Sequence, residues 1–523
     1  MDSWQYLFSG TVIAAVLSFV FWQQGRNRLA LFSLFVAAFL LRFCITYLDT
    51  YLHLWDERFH ALVAKNMMEY PFKPMLRVDL PLPNYDKDWA HCHIWLHKQP
   101  LFLWQMALSM KMFGVNEWAL RLPSVIMGSL MVLPIYRIGA ILFSKNAGYY
   151  AALLWTFAFF QLQLTTGTYG MDHNDVAFSF YVGCSAWAFF EYAASGKEKL
   201  RWALLAGLFS GCAILCKWLT GGLVFGAWLA WLLASADWNR PRAYLHMLWS
   251  FGITLLVVLP WQIYAYWKFP KEYAFEMAYN AKHIWKVVEG HRGDWNFYFE
   301  LLDEHFGPKL WAAVPLGLVA AFWGRPKPPT RLLLPFGILI FLPYFFFSFV
   351  AQTKVISYTF CVAPLVYVAI GVFADKFLGN FSIQKSVAHL SLPHIPAFLV
   401  LYALVIASMR PGVLFAYHVL REDTAMAPAK ELEIRQGNIL VYKELDQLVP
   451  EGYVLLNAHG LEEIDAMFYC NRSVYEGCPE ENLFRELKQR GIKFAVFKDR
   501  TGTQVPEYIK NDPEVLVVDR ILK

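Results

Sequence analysis

The chain has 523 residues, of which 57% are hydrophobic, 18% aromatic and only 17% charged. That charged fraction falls well short of the roughly 25% of soluble domains, so an ordinary soluble enzyme is excluded. A formal net charge of +5 gives no general grip on nucleic acid, and none is expected as a partner.

Apolar runs alternate with short charged stretches, as they do when the bilayer is the main solvent. The first run, 7–22, lacks a basic leader and a small-residue cleavage site, so it is expected to be a retained span. About twelve spans follow from the length that a crossing helix needs. They fall at 7–22, 30–48, 121–142, 147–163, 175–194, 202–216, 218–236, 246–267, 308–324, 332–350, 357–374 and 396–416. Between the sixth and seventh, Lys217 either snorkels or marks a kink.

Short basic loops orient the bundle. Arg26 and Arg28, then Lys197, Lys199 and Arg201, then Arg240 and Arg242 follow odd-numbered spans. So do Arg325, Lys327 and Arg331, and finally Lys376 and Lys385. The positive-inside rule makes their side cytoplasmic. The opposite side receives loops 49–120, 164–174, 268–307 and 351–356, and everything after about 417. Within the first loop, 60–68 and 101–113 have amphipathic helical patterning and are too short or polar to span, so they are expected to lie in the interface with the apolar side in lipid. The stretch 71–88 is rich in Pro, Asp and Lys and should be irregular.

After the last span, β-like runs at 453–457, 494–497 and 515–518 alternate with helical stretches such as 481–490. This is the pattern of a small α/β domain, without a glycine-rich phosphate fingerprint. The expected division is 1–417, a transmembrane domain, and 418–523, a soluble extracytoplasmic domain. A Cys470–Cys478 disulfide is left open.

Chemistry-bearing residues collect in the external loops. Asp56 and Glu57 directly follow a span, with Arg58 next. Alone they suit a solvated helix start, where acids are favoured, as well as a general base at the interface. His91, His93 and His97 precede Lys98, and their spacing matches no standard zinc signature. Lys98 could neutralise a lipid phosphate. Asp172 and His173 come in the next loop, His283 and His291 in the following one, and Lys354 and Tyr358 at the outer end of a span. Each singly is more often just solvated. Together they place acids, histidines and cations on one membrane face, which is how a lipid-phosphate substrate would be handled. A transporter or flippase is the alternative, but such proteins keep ionisable groups near the midplane, often in repeats, and no repeat is visible.

These ordered blocks resemble the GT-C class glycosyltransferases of the protein mannosyltransferase superfamily, including the bacterial aminoarabinose (lipid A) transferases. The resemblance rests on Asp56-Glu57, on Lys98-Gln99-Pro100-Leu101, and on the block from Phe113-Gly114 to Arg121-Leu122-Pro123-Ser124. Asp172 and the Lys354, Tyr358, Pro364 series complete it. It implies a GT-C fold and inverting transfer of a sugar from a polyprenyl-monophosphate donor to a lipid, glycan or protein acceptor outside a bacterial or archaeal plasma (inner) membrane. In that frame Asp56 is the base and Asp172 positions a substrate. Lys98 and Arg58 meet the leaving phosphate, with Lys354 and Tyr358 on the donor side. Glu57, His173, Arg121 and His291 are further candidates. No cofactor is certain. The relatives hold zinc through a glutamate and a histidine; here His97 stands in place of the glutamate, and His283 matches the histidine. Arg58 also departs, since the family's arginine comes one residue later, at Phe59.

Overall fold

The computed structural model describes residues 3–79, 81–82, 88–167, 173–195, 199–235, 239, 241–307, 310–380, 429–458, 460–499 and 504–520. The expected span at 396–416 and Asp172 lie outside them.

The chain is an integral membrane protein built on helices. Seven helical stretches among the described residues are long and apolar enough to cross a bilayer: Trp4–Gln23, Asn27–Leu48, Glu117–Leu142, Lys199–Ala234, Pro241–Lys268, Thr330–Val350 and Phe360–Phe377. At 1.5 Å per residue, about 20 residues suffice for a 30 Å core. Pro241–Lys268 carries Leu248, Trp249, Leu256 and Trp267 well exposed, an apolar surface suited to lipid.

Several expected spans prove discontinuous. The run 147–163 is two short helices, Lys145–Thr156 and Phe159–Thr166. The run 308–324 yields the ten-residue helix Ala313–Phe322, too short to cross alone. The uncertain pair at Lys217 is a kink: helix Lys199–Lys217 gives way to a 3₁₀ turn, Trp218–Gly222, and resumes as Leu223–Ala234. Close packing elsewhere uses missing side chains. A Cβ on Gly139 would lie 2.5 Å from Gly148 Cα, so the helices Val132–Leu142 and Lys145–Thr156 meet backbone to backbone.

In the first long loop, the helices Asp56–Met67 and Pro100–Phe113 replace the two interfacial patterns. The second leaves Leu108 and Met112 exposed, as a lipid-facing helix would. The first is buried on nearly every side, from Glu57 through Ala64 to Met67. The expectation that it lies with its apolar side in lipid is corrected here, because the C-terminal segment covers it: the helix Glu462–Tyr469 packs against it.

That segment opens with helix Ala429–Leu448 and carries a parallel sheet in the order β1 (Tyr453–Leu456), β2 (Lys493–Phe497), β3 (Leu516–Val518). Both faces of β1 and β2 are buried, as parallel strands require, while the edge strand β3 leaves Leu516 and Val517 exposed. Leu455, Ala495 and Phe497 join the core shared with the membrane helices. Val454, Leu456, Phe494 and Val496 pack with Phe484, Leu487 and Ile509 on the other face. Cys470 and Cys478 are both free thiols.

Polar anchors fix this segment to the loop. Lys65 Nζ donates to the carbonyls of Met467, Phe468 and Cys470 at 2.8, 3.0 and 2.6 Å, capping the C-terminal end of the Glu462–Tyr469 helix. Glu117 accepts from Lys443 Nζ and Tyr469 Oη, each at 2.8 Å.

Candidate active site

The site begins at a strained turn. Trp55 has φ 64° and ψ −122°, a conformation rare for a bulky residue. It starts the Asp56–Met67 helix abruptly, with Asp56 and Glu57 in the first turn. Successive helical residues point about 100° apart, so the two carboxylates part company.

Glu57 turns inward and is fully buried. Arg121 Nε donates to it at 2.7 Å and Arg121 Nη2 at 3.0 Å. The backbone N–H of His53 adds a bond of 2.6 Å, and His173 Nε2 lies 3.2 Å away. The other donors of Arg121 go to the carbonyls of Asp49 and Tyr51, both at 2.7 Å. Ser124 hydroxyl holds His173 Nδ1 at 2.8 Å, and Asp49 holds His53 at 2.7 Å. Gly167 makes the room: a Cβ there would sit 2.6 Å from Glu57 Cδ. Burial would raise the Glu57 carboxyl, but Arg121 and His173 outweigh it and hold it far below the usual carboxylate range. Three expected candidates, Glu57, Arg121 and His173, thus form one closed buried network that braces the turn.

Asp56 turns the other way, toward Lys98, whose Nζ lies 3.4 Å from Oδ2. Each side chain is 22% exposed. Lys98 stands just ahead of Pro100, the first residue of its helix, and Gln99 is extended, as a residue before proline must be. Burial pushes the Asp56 carboxyl up. Lys98, then His60, His97 and Lys217, push it down further, and the net position is below the usual value.

Lys217 is the residue that sequence reasoning placed only as a snorkelling lysine or a kink. The helix ends at Lys217, and the next residue, Trp218, has φ 61°. The break frees the ammonium to pair with Asp175, to donate to Ser357 Oγ at 3.3 Å, and to sit 5.1 Å from the centre of the Tyr358 ring. Asp175 belongs to the first turn of helix His173–Ala194. Neither Lys217 nor Asp175 was singled out for chemistry, because a lysine between apolar runs reads as a span boundary. The helix-breaking Thr220-Gly221-Gly222 after it was the available signal.

The remaining candidates divide. His97 stacks on Trp89 (ring centres 4.7 Å apart) and reaches Glu276 Oε2 at 3.1 Å. Glu276, on the helix Pro270–Trp285, was not foreseen. His283 stands two turns further along that helix, with Nδ1 3.3 Å from the Tyr279 carbonyl. Burial holds its pKa below the usual value, and Lys98 and His97 add to this. Among the described residues, His97, Glu276 and His283 do not gather their ligand atoms within 4.8 Å; the one set of three that does is His91, Glu463 and Glu476. Among the described residues, His97 and His283 are thus not part of a ready-made set of three ligands.

Arg58 is directed away from Asp56. Its Nη1 donates to the Leu461 carbonyl at 2.7 Å and its Nη2 lies 3.5 Å from Asp465, so it anchors the C-terminal segment. Lys354 is buried and gives its ammonium to the carbonyls of Phe347, Ser348 and Ala351, closing the π-helical turn Phe346–Val350. Neither cation faces the Asp56–Lys98 pair, which corrects the expectation that Arg58 meets the leaving phosphate and that Lys354 stands on the donor side; Tyr358 reaches the cluster through Lys217. His291 is 44% exposed and lies 3.9 Å from Glu289, whose carboxylate accepts from Tyr279 hydroxyl at 2.6 Å.

The chain is similar in sequence and in fold to several known proteins. The family model described as dolichyl-phosphate-mannose-protein mannosyltransferase matches residues 97–264. An uncharacterized protein of Aquifex aeolicus is 26% identical over 357 residues, 67% of this chain and 64% of its own. The undecaprenyl phosphate-alpha-4-amino-4-deoxy-L-arabinose arabinosyl transferase of Pseudomonas paraeruginosa is 27% identical, over 65% of this chain and 59% of its own. The chain thus spans about 60% of the length of these curated relatives. In fold it is similar to ArnT from Cupriavidus metallidurans, solved bound to undecaprenyl phosphate, with a TM-score of 0.64, 18% identity and 87% of each chain covered. It is also similar to the archaeal oligosaccharyltransferase AglB from Archaeoglobus fulgidus, with a TM-score of 0.55 and 16% identity over 86% of this chain and 64% of that one. The GT-C fold that the motif blocks implied is the fold the chain has.

Proposed function

We propose that this chain, a membrane protein of GT-C fold, transfers a sugar with inversion from a polyprenyl monophosphate to an acceptor hydroxyl or phosphate. The observation that carries the proposal is the half-open Asp56–Lys98 pair, 3.4 Å apart, with Lys217 and Asp175 beside it. A transferase of this kind needs a carboxylate to take the acceptor proton and cations to meet the phosphate that leaves. Two of each stand together here. The arabinosyl transferase relatives and an ArnT structure with bound undecaprenyl phosphate support the donor class.

In the reaction, the acceptor oxygen bonds to the anomeric carbon from the face opposite the phosphate. The sugar–phosphate C–O bond breaks and its electron pair leaves on the phosphate oxygen. Asp56 takes the acceptor proton, and Lys98 and Lys217 offset the charge on the released phosphate. When the donor phosphate draws Lys98 away, the carboxylate of Asp56 loses its strongest opposing charge and becomes a better base. Asp172 remains a proposed positioning residue.

The finer arrangement belongs to the same proposal. About twelve helices cross a bacterial or archaeal plasma membrane, and the site opens on the extracytoplasmic face. The C-terminal α/β segment packs over it and shares its core with the membrane helices. The acceptor is an extracytoplasmic lipid, glycan or protein.

The test offers purified protein a panel of polyprenyl-phosphate sugars with membrane extract as acceptor source, and follows free polyprenyl phosphate. Sugar-dependent release by the wild type is expected. No release from any donor, with substrate movement across vesicles instead, would replace the transferase with a transporter.

A further inference from the structure

His91, Glu463 and Glu476 meet where the first long loop touches the C-terminal segment. Their ligand atoms lie within 4.8 Å of one another. His91 Nε2 and Glu476 Oε2 are 3.3 Å apart. Two ligands each about 2.1 Å from a tetrahedral zinc ion lie about 3.4 Å apart, so this pair already has the spacing of co-ligands.

The imidazole is prepared for such a role. Asp88 Oδ2 lies 2.6 Å from His91 Nδ1. A carboxylate there accepts the Nδ1 proton and leaves the Nε2 lone pair facing the two glutamates. Glu463 supplies a second, independent observation. Its side chain is 0% exposed, and neither carboxylate oxygen has a hydrogen-bond partner. A buried carboxylate with no donor is costly unless a cation answers it or it takes up a proton. Arg77 is the nearest opposing charge by its effect, yet burial still dominates and pushes Glu463 up to about 7. Arg77 itself is engaged elsewhere, with Nη2 donating to the Val474 carbonyl at 3.3 Å and the guanidinium 4.7 Å from the centre of the Tyr475 ring.

We propose that His91, Glu463 and Glu476 bind one divalent transition-metal ion of the zinc type, which clamps the C-terminal segment onto the loop that carries Lys98. One imidazole with two carboxylates suits zinc better than calcium or magnesium, which prefer all-oxygen shells. The ion would join three separate chain segments: the turn at 88–91, the start of helix Glu462–Tyr469 and the stretch after Val474. His91 precedes Lys98 by seven positions, so the clamp would steady the approach of that lysine to Asp56. The site stands apart from His97 and His283, and it does not depend on the transferase proposal.

The experiment counts zinc on full-length protein purified without a histidine tag, stripped with chelator and re-equilibrated with zinc alone. One ion per chain is expected for the wild type and for His283→Ala, and none for His91→Ala. Glu476→Gln, at a half-exposed position where folding is not at stake, should lose the ion and also the rise in Tm that zinc gives the wild type. Asp88→Asn should weaken zinc binding about 10–100-fold, as loss of a supporting carboxylate does. A wild type that binds no zinc overturns the proposal. So does full occupancy in both His91→Ala and Glu476→Gln, or an ion lost with His283→Ala and kept with His91→Ala.

Discussion

Asp56 and Glu57 are adjacent carboxylates in the same helical turn, yet they belong to different kinds of region. Around Glu57 every charge is answered: Arg121 forks onto it, and His53 and His173 fill the remaining directions, all out of water. Around Asp56 the partners are fewer and partly wet, and Lys98 stands at 3.4 Å rather than at the 2.7–2.9 Å of a tight charged hydrogen bond. A saturated network resists change and holds geometry. An open pair can exchange its partner for a substrate group. The difference assigns bracing to one carboxylate and chemistry to its neighbour.

The comparison is broken most sharply by removing the two carboxylates one at a time. Asp56→Asn should lower transfer about 10²–10⁴-fold, the usual contribution of a positioned base, while Tm stays near that of the wild type. Equal losses of Tm in Asp56→Asn and Glu57→Gln would erase the distinction. Next in size is the brace itself. Arg121→Leu leaves Glu57 charged and buried without its main partner, a change worth about 3–5 kcal/mol of stability. Denaturation of the purified variant should show it as an early transition. An Arg121→Leu protein as stable as the wild type but inactive would move Arg121 from the brace to the reaction.

Much of this division was beyond the sequence. Asp56 and Lys98 were legible as two separate site residues, because each sits in its own motif block beside a helix start; their approach to 3.4 Å was not. The fate of Glu57 was not: one residue of helical rotation decides which carboxylate is buried, and the arginine that claims it comes 64 positions later. Arg58 and Lys354 looked like phosphate ligands, since a cation in a polar loop gives no sign that carbonyl groups will engage it. Lys217 was seen as a snorkelling lysine or a kink but not as a site residue, for the converse reason. Its neighbours are apolar, so hydropathy places it at a span boundary, and only the folded kink brings it near Asp56. The helical fold was legible from hydropathy. The broken crossings were not, because a run such as 147–163 has the same composition whether or not it bends at Phe157.

The smallest effect concerns pH, and it separates a partner from a mere neighbour. In the wild type the Asp56 carboxyl lies below its ordinary value of about 3.9, so the ionised base persists well into acid. The acid limb of kcat/KM, which reports the free enzyme, should therefore fall below that value. Lys98→Gln removes the strongest of the charges that oppose burial. Burial remains and favours the protonated form, so the limb should move upward in pH, beyond any drop in rate from the weaker grip on phosphate. His60, His97 and Lys217 still act on Asp56, so only part of the depression is lost. Lys217→Gln should move the limb the same way and less, because Lys217 is the weakest of the four. A limb unmoved in Lys98→Gln, with transfer still reduced, would mean that Lys98 serves the phosphate alone and that another group sets the basicity of Asp56.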